Sequence, residues 1–312
     1  MMSALNHKID FALVFTVRNA NPNGDPLDGN RPRTTYDGIG EVSDVCLKRK
    51  IRNRWLDEGY PVFVQSDDRR SDEYRSLRAR ADACAPLKAC LDAMAAQKEP
   101  KGKKAVDAPE KSMTRDDYAK IACEQWLDVR AFGQVFPFKG TKDGDGAEKS
   151  DAVSIGIRGP VTIQSAFSLE PVTITSTQIV KSVNLETNTA DPDKKASDTM
   201  GMKHRVDYGV YATYGSVNVQ LAQKTGFGEE DAQALKEALR TLFRNDATAA
   251  RPDGSMEVAA LVWWEHNCPC GQYSAAKVHR SVRIDLDASR FPHVGVDETQ
   301  IPGLRYEIVE GE

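Results

Sequence analysis

Phe11-Ala-Leu-Val-Phe-Thr-Val17 runs into Arg18-Asn-Ala-Asn-Pro-Asn-Gly-Asp-Pro-Leu-Asp-Gly-Asn-Arg-Pro-Arg33. After nine intervening residues comes Ser43-Asp-Val-Cys-Leu-Lys-Arg-Lys-Ile-Arg-Asn-Arg-Trp55. The first segment is short, apolar and rich in β-formers, which reads as a strand. The second offers turn formers, amide side chains and three arginines, with no apolar face. The third reads as a helix. Ser43 can cap it, Asp44 suits the positive end of its dipole, and Leu47, Ile51 and Trp55 fall at helical spacing. Gly59 can end it. The same helix carries Lys48, Arg49, Lys50, Arg52 and Arg54. Strand, irregular loop and cationic helix together point to a surface that holds an anion, above all a polyanion.

The chain of 312 residues is long enough for one elaborated domain or two. With 40% hydrophobic and 28% charged residues it has a globular composition. No apolar run approaches the ~20 residues of a membrane helix. The N-terminus leads directly into a strand without a signal-peptide pattern, so the expected compartment is the cytoplasm. The six cysteines are then expected to be reduced. Cys268-Pro-Cys270 lacks a second pair at zinc-ligand spacing, which favours a polar turn; no metal or other cofactor is expected. A net charge of −4 and a pI of about 5.8 argue against a nonspecific DNA-coating protein. They leave room for a local basic groove.

Along the chain, residues 1–60 hold the strand, loop and basic helix. Tyr60 to Gln65 reads as a short edge strand. Residues 61–150 read as a helical insertion, with helices around Glu73 to Met94 and from Thr114 to Val129, Thr114 being the cap. Lys98 to Lys104 and Thr141 to Lys149 read as loops. Phe132 and Phe136 read as core. From residue 151 the chain turns β-rich. Strands are expected over Ser154 to Ile163, Val172 to Val180 and Val206 to Leu221, with a long polar hairpin tip over Asn184 to Lys203. A helix over Glu229 to Asn245, a strand over Glu257 to Trp264 and short strands at Val282 to Leu286 and Tyr306 to Val309 follow. Without its insertions the order is strand, helix, strand, strand, helix, strand. That is the split βαβ pattern of ferredoxin-like and RRM-type α+β folds. One sheet face is then covered by the two helices, and the other face or the rim is open to a ligand.

No His-Glu-x-x-His site, Walker loop or Gly-x-Ser-x-Gly elbow is present. The five histidines are scattered and form no nucleophile arrangement. Asp25 and Asp28 are candidates for a divalent ion or hydrolysis, against a plain role in turns. The stronger set is cationic. Lys48 and Arg52 share a helix face, with Arg49 beside them. Ser43 and the helix-start amides can hold a phosphate. Arg18, Asn21, Asn23, Arg31 and Arg33 stand in the adjoining loop. The alternative reading of these charges is a solvated helix face. Met200 and Met202, flanked by Lys203, His204 and Arg205, offer a flat apolar surface at the hairpin tip or else pack on the core.

Ser43 to Arg52, preceded by Asn21-Pro-Asn-Gly-Asp-Pro26, resembles the backbone subunit of type I CRISPR Cascade complexes, most closely the type I-C branch. Asp128-Val-Arg-Ala-Phe-Gly133, Gly159-Pro-Val161, Thr199-Met-Gly-Met-Lys-His204 and Tyr208-Gly-Val-Tyr211 fit the same family. The resemblance implies an RRM-like palm, helical fingers over 61–150 and a β-hairpin thumb at about 182–205 within the second palm part, 151–312. It also implies a helical filament of copies along a crRNA, other Cascade subunits as partners, and target DNA paired to exposed guide segments. Its guide-binding positions fall on Arg31, Ser43, Lys48 and Arg52. Type I backbone subunits bind without cleaving. Related type III subunits cleave from a loop aspartate, which keeps a metal-dependent ribonuclease using Asp25 or Asp28 as the alternative.

Overall fold

The structure is a computed structural model that describes residues 4–96, 113–137, 154–181 and 200–312. Its centre is the strand Ile9–Ala20, which is buried at nearly every position. A strand with that pattern must be covered on both faces, and a continuous apolar run is the sequence form of that demand. Ile9–Ala20 lies between the 18-residue strand Met200–Val217 and the strand Met256–Glu265, antiparallel to both. Ala166–Pro171 pairs on the outer side of Met200–Val217, and Ile39–Val42 pairs beyond it. Arg305–Glu310 closes the opposite edge on Met256–Glu265. Val161–Ile163 and Ile174–Val180 also pair with Met200–Val217, near its two ends.

On one face, Phe11, Leu13, Phe15 and Val17 pack under two helices, Asp44–Asp57 and Glu229–Arg240. Leu47, Ile51 and Trp55 from the first helix and Leu235 and Leu239 from the second fill this core. The Trp55 indole N–H donates to Ala234 O at 3.1 Å, joining the two helices. Gly59, at φ +82, turns the chain out of the first helix in a conformation that glycine adopts without strain.

The other face is not open to a ligand, contrary to the expectation from the strand order. Ala12, Val262 and Trp264 are buried there with Val278, Ile301 and Leu304. Val14, Val210 and Ala212 are covered by Ile284, Leu286 and Val294. The cover consists of the helix Ala275–Arg280 and the hairpin Val282–Leu286/Pro292–Val296.

A separate apolar cluster joins Phe63, Leu87, Cys90, Tyr118, Trp126 and Phe136. It lies among the helices Leu77–Ala83, Ala85–Ala96 and Arg115–Gln125, and the hairpin Gly133–Pro137/Ser154–Arg158. Thr114 caps the third of these helices, in a reciprocal box with Asp117. Several expectations need correction. The helix from Thr114 breaks at Trp126 and resumes as Leu127–Phe132. Tyr60 to Gln65 forms no strand; the amides of Phe63 and Val64 bond to the Asp128 carboxylate instead. The strand expected to reach Leu221 ends at Val217, because Asn218 caps a helix, Val219–Thr225. Met200 to Arg205 belong to a strand paired with Ile174–Val180, not to a loop. The helix from Glu229 ends at Arg240. Lys98 to Lys104, Thr141 to Lys149 and residues 182–199 of the expected thumb lie outside the described residues.

Candidate nucleic-acid interface

The basic helix does not present all its cations outward. Lys50 is 3% exposed and pairs with Asp246, which also holds Arg251 at 3.3 Å. Burial lowers the Lys50 pKa, and the Asp246 carboxylate works against that. Arg54 is also buried; it bonds to Thr241 at 3.0 Å, Asp57 at 3.1 Å and Glu58 at 3.0 Å. These two cations tie the helix into the protein. Arg49 is exposed. Lys48 is partly exposed and pairs with Asp44 one turn earlier, at 3.0 Å. Pairs of this kind in contact with water are weak, so Lys48 can exchange its partner for a phosphate.

Arg52 takes an intermediate position. Its Nε donates to Asp128 at 2.8 Å, and its guanidinium lies 4.9 Å from the centre of the Phe132 ring. Its Nη groups make no hydrogen bond among the described residues. The helix therefore presents Arg49, Lys48 and, less fully, the outer edge of Arg52, whose side chain is 13% exposed.

The loop before the helix is fastened from within. Asn23 Oδ1 accepts from Ser43 N at 2.9 Å and from Ser43 Oγ at 2.8 Å. Ser43 Oγ in turn accepts from Cys46 N, so this hydroxyl is engaged in the cap. Asn21 is 3% exposed, and its amide donates to Asn30 O at 2.7 Å. Both asparagines shape the loop. Asp25 Oδ1 accepts from Leu27 N at 3.0 Å and lies 3.4 Å from Arg33. Asp28 pairs with Arg31 at 3.7 Å. Both aspartates thus support the turn and its arginines. The Arg33 carbonyl accepts from Glu41 N, which brings Arg33 to the approach of the helix.

Arg31 reaches the second element of the surface. Its Nη1 lies 3.4 Å from Ser176 Oγ, and Ser176 Oγ is 2.8 Å from His204 Nδ1. Cross-strand partners in the ribbon Ile174–Val180/Met200–Arg205 share a face. Ser176 and His204 therefore lie with Gln178, Met202, Val180 and Met200, while Lys203 and Arg205 lie on the reverse face. Met200 and Met202 are 65% and 54% exposed, and neither is packed in the core. Arg205 pairs with Asp207 at 3.5 Å.

Arg18 does not join this surface. It lies in the strand and alternates with Ala12 and Val14, on the face opposite the basic helix. Its guanidinium lies 5.1 Å from the Tyr208 ring centre, and Arg290 lies 5.0 Å from the same ring. The sequence reading missed Asp246, Arg251 and Ser176, and it quoted Asp128 only within a family motif, with no partner assigned. Asp128 carried a signal: a carboxylate inside Trp126-Leu-Asp-Val-Arg-Ala-Phe132, otherwise apolar but for Arg130, must find a buried partner.

A family model for CRISPR-associated protein Cas7 matches residues 7–301. A curated protein of Haloferax volcanii, described as CRISPR-associated protein Cas7, is 26% identical over 254 residues, spanning 80% of this chain and 67% of that one. Among solved structures, a chain of a CRISPR RNA-guided surveillance complex in a pre-nicking state is 16% identical with a TM-score of 0.42. That match covers 82% of this chain and 78% of the other. A chain of another CRISPR RNA-guided surveillance complex is 16% identical with a TM-score of 0.40, covering 82% and 68%. The matched span takes in the central strand, the basic helix and the ribbon, and the chain belongs to the Cas7 family of CRISPR-associated proteins.

Proposed function

We propose that this protein is a non-catalytic, crRNA-binding backbone subunit of a CRISPR surveillance complex of type I-C. The observation that carries the reading is a helix presenting Lys48, Arg49 and Arg52 in a chain of this family. Cations that meet phosphates hold a strand without reading its bases. Any guide can then be loaded, and specificity passes to base pairing with target DNA. The strand order Met256–Glu265, Ile9–Ala20, Met200–Val217, Ala166–Pro171 supports an RRM-like palm. The helical cluster serves as fingers, and the ribbon as the base of a thumb that meets the next copy in a filament.

Co-expression with a guide RNA followed by nuclease digestion tests this. A filament yields protected fragments that grow in regular steps. Purification free of RNA, or protection without a regular step, overturns it. RNA cleavage that requires a divalent ion and is lost in Asp25→Asn or Asp28→Asn would replace it with a ribonuclease.

A further inference from the structure

Asp128 is 0% exposed, and its carboxylate accepts three hydrogen bonds from two separate regions. Phe63 N donates at 2.6 Å and Val64 N at 3.0 Å, both from the segment that opens the helical part. Arg52 Nε donates at 2.8 Å from the basic helix. Phe132, one turn along from Asp128, supplies the ring against which the Arg52 guanidinium lies, and it stacks on Trp55 at 5.3 Å. The short helix that carries both residues is anchored separately: Arg130 forms a bidentate pair with Asp231, at 2.7 and 2.8 Å. The guanidinium of Arg52 is thus fixed at its inner edge and supported by a ring, on a mount anchored to the second palm helix.

We infer that Asp128 is a positioning residue for the guide strand: it orients the outer edge of Arg52 towards a phosphate and sets the helical part in register with the RNA-facing helix. This rests on the reading of the helix as the guide surface. Arg52 without this mount is a flexible side chain that must be ordered on binding. The buried carboxylate also reduces the net charge of Arg52. Positioning and neutralisation predict opposite outcomes when the charge is removed. An amide at position 128 removes the charge that strengthens the bond to Arg52 and puts an N–H₂ donor where one carboxylate oxygen accepted, so one of the three donors is left unpaired and the hold on Arg52 weakens.

The test is the salt dependence of guide binding by Asp128→Asn, Arg52→Ala, the double variant and Lys48→Ala. Positioning predicts that Asp128→Asn binds several-fold more weakly, with the slope reduced by about 0.7, the share of one single-strand phosphate contact. It also predicts that Asp128→Asn adds nothing in the Arg52→Ala background. Unchanged or tighter binding by Asp128→Asn, or an additive loss in the double variant, overturns the assignment. If Lys48→Ala and Arg52→Ala also leave the slope unchanged, the guide surface itself is refuted. Should Asp128→Asn fail to fold, Arg52→Lys carries the test, because it keeps the cation but cannot bond Asp128 through one edge while presenting another to a phosphate. It must weaken binding in the same direction, and unchanged binding overturns the assignment.

Discussion

The basic helix Asp44–Asp57 and the ribbon Ile174–Val180/Met200–Arg205 both carry residues suited to nucleic acid, yet they are built in opposite ways. The helix is fastened at several points: an apolar stripe beneath it, Lys50 and Arg54 in internal ion pairs, Asn23 at its cap and Asp128 against Arg52. In the ribbon, Ile179, Val180, Met200 and Met202 are each at least half exposed. The difference separates two tasks. Phosphates are held best by cations already fixed in place, because a mobile side chain must lose entropy on binding. A ribbon with flexible methionines instead offers adaptable apolar surface to whatever lies beside it.

Stability measurements sharpen this comparison. Trp55→Ala removes a fully buried ring and its bond to Ala234 O. A loss of about 3–5 kcal/mol is expected in denaturant titration; a loss below about 1 kcal/mol would mean that the helix is not locked. Ser43→Ala deletes the cap and one bond to Asn23, with an expected loss of about 1 kcal/mol. Met202→Ala, in the ribbon, should change stability by no more than about 0.5 kcal/mol, as for other exposed sites. A loss as large as that of Trp55→Ala would show that the ribbon is core and break the distinction.

Much of this division was present in the letters. Leu47, Lys50, Ile51, Arg54 and Trp55 fall at i, i+3, i+4, i+7 and i+8, a single helical stripe. Two cations within an apolar stripe are the ones that point inward, and the sequence reading counted them with the surface charges. Their partners Asp246 and Thr241 lie almost 200 residues away, and no local pattern locates them. The run Phe11 to Val17 announced a strand. Its lack of alternation also announced burial on both faces, and parity with Ala12 and Val14 placed Arg18 on the far side. The Ser176–His204 contact depends on strand register, which is set by pairing between distant segments. Composition left Met200 and Met202 either at a hairpin tip or in the core, and their membership of an exposed strand required the partner Ile174–Val180 to be known.

On the function proposed above, guide phosphates lie on the outward face of the helix Asp44–Asp57. The most direct test is the salt dependence of guide binding by wild-type protein and a folded Lys48→Ala/Arg52→Ala variant, with guides of unrelated sequence. Weaker binding is expected for every guide, with a slope of log K against log salt shallower by about 1.4, roughly 0.7 for each lost contact. An unchanged slope and affinity would contradict that placement.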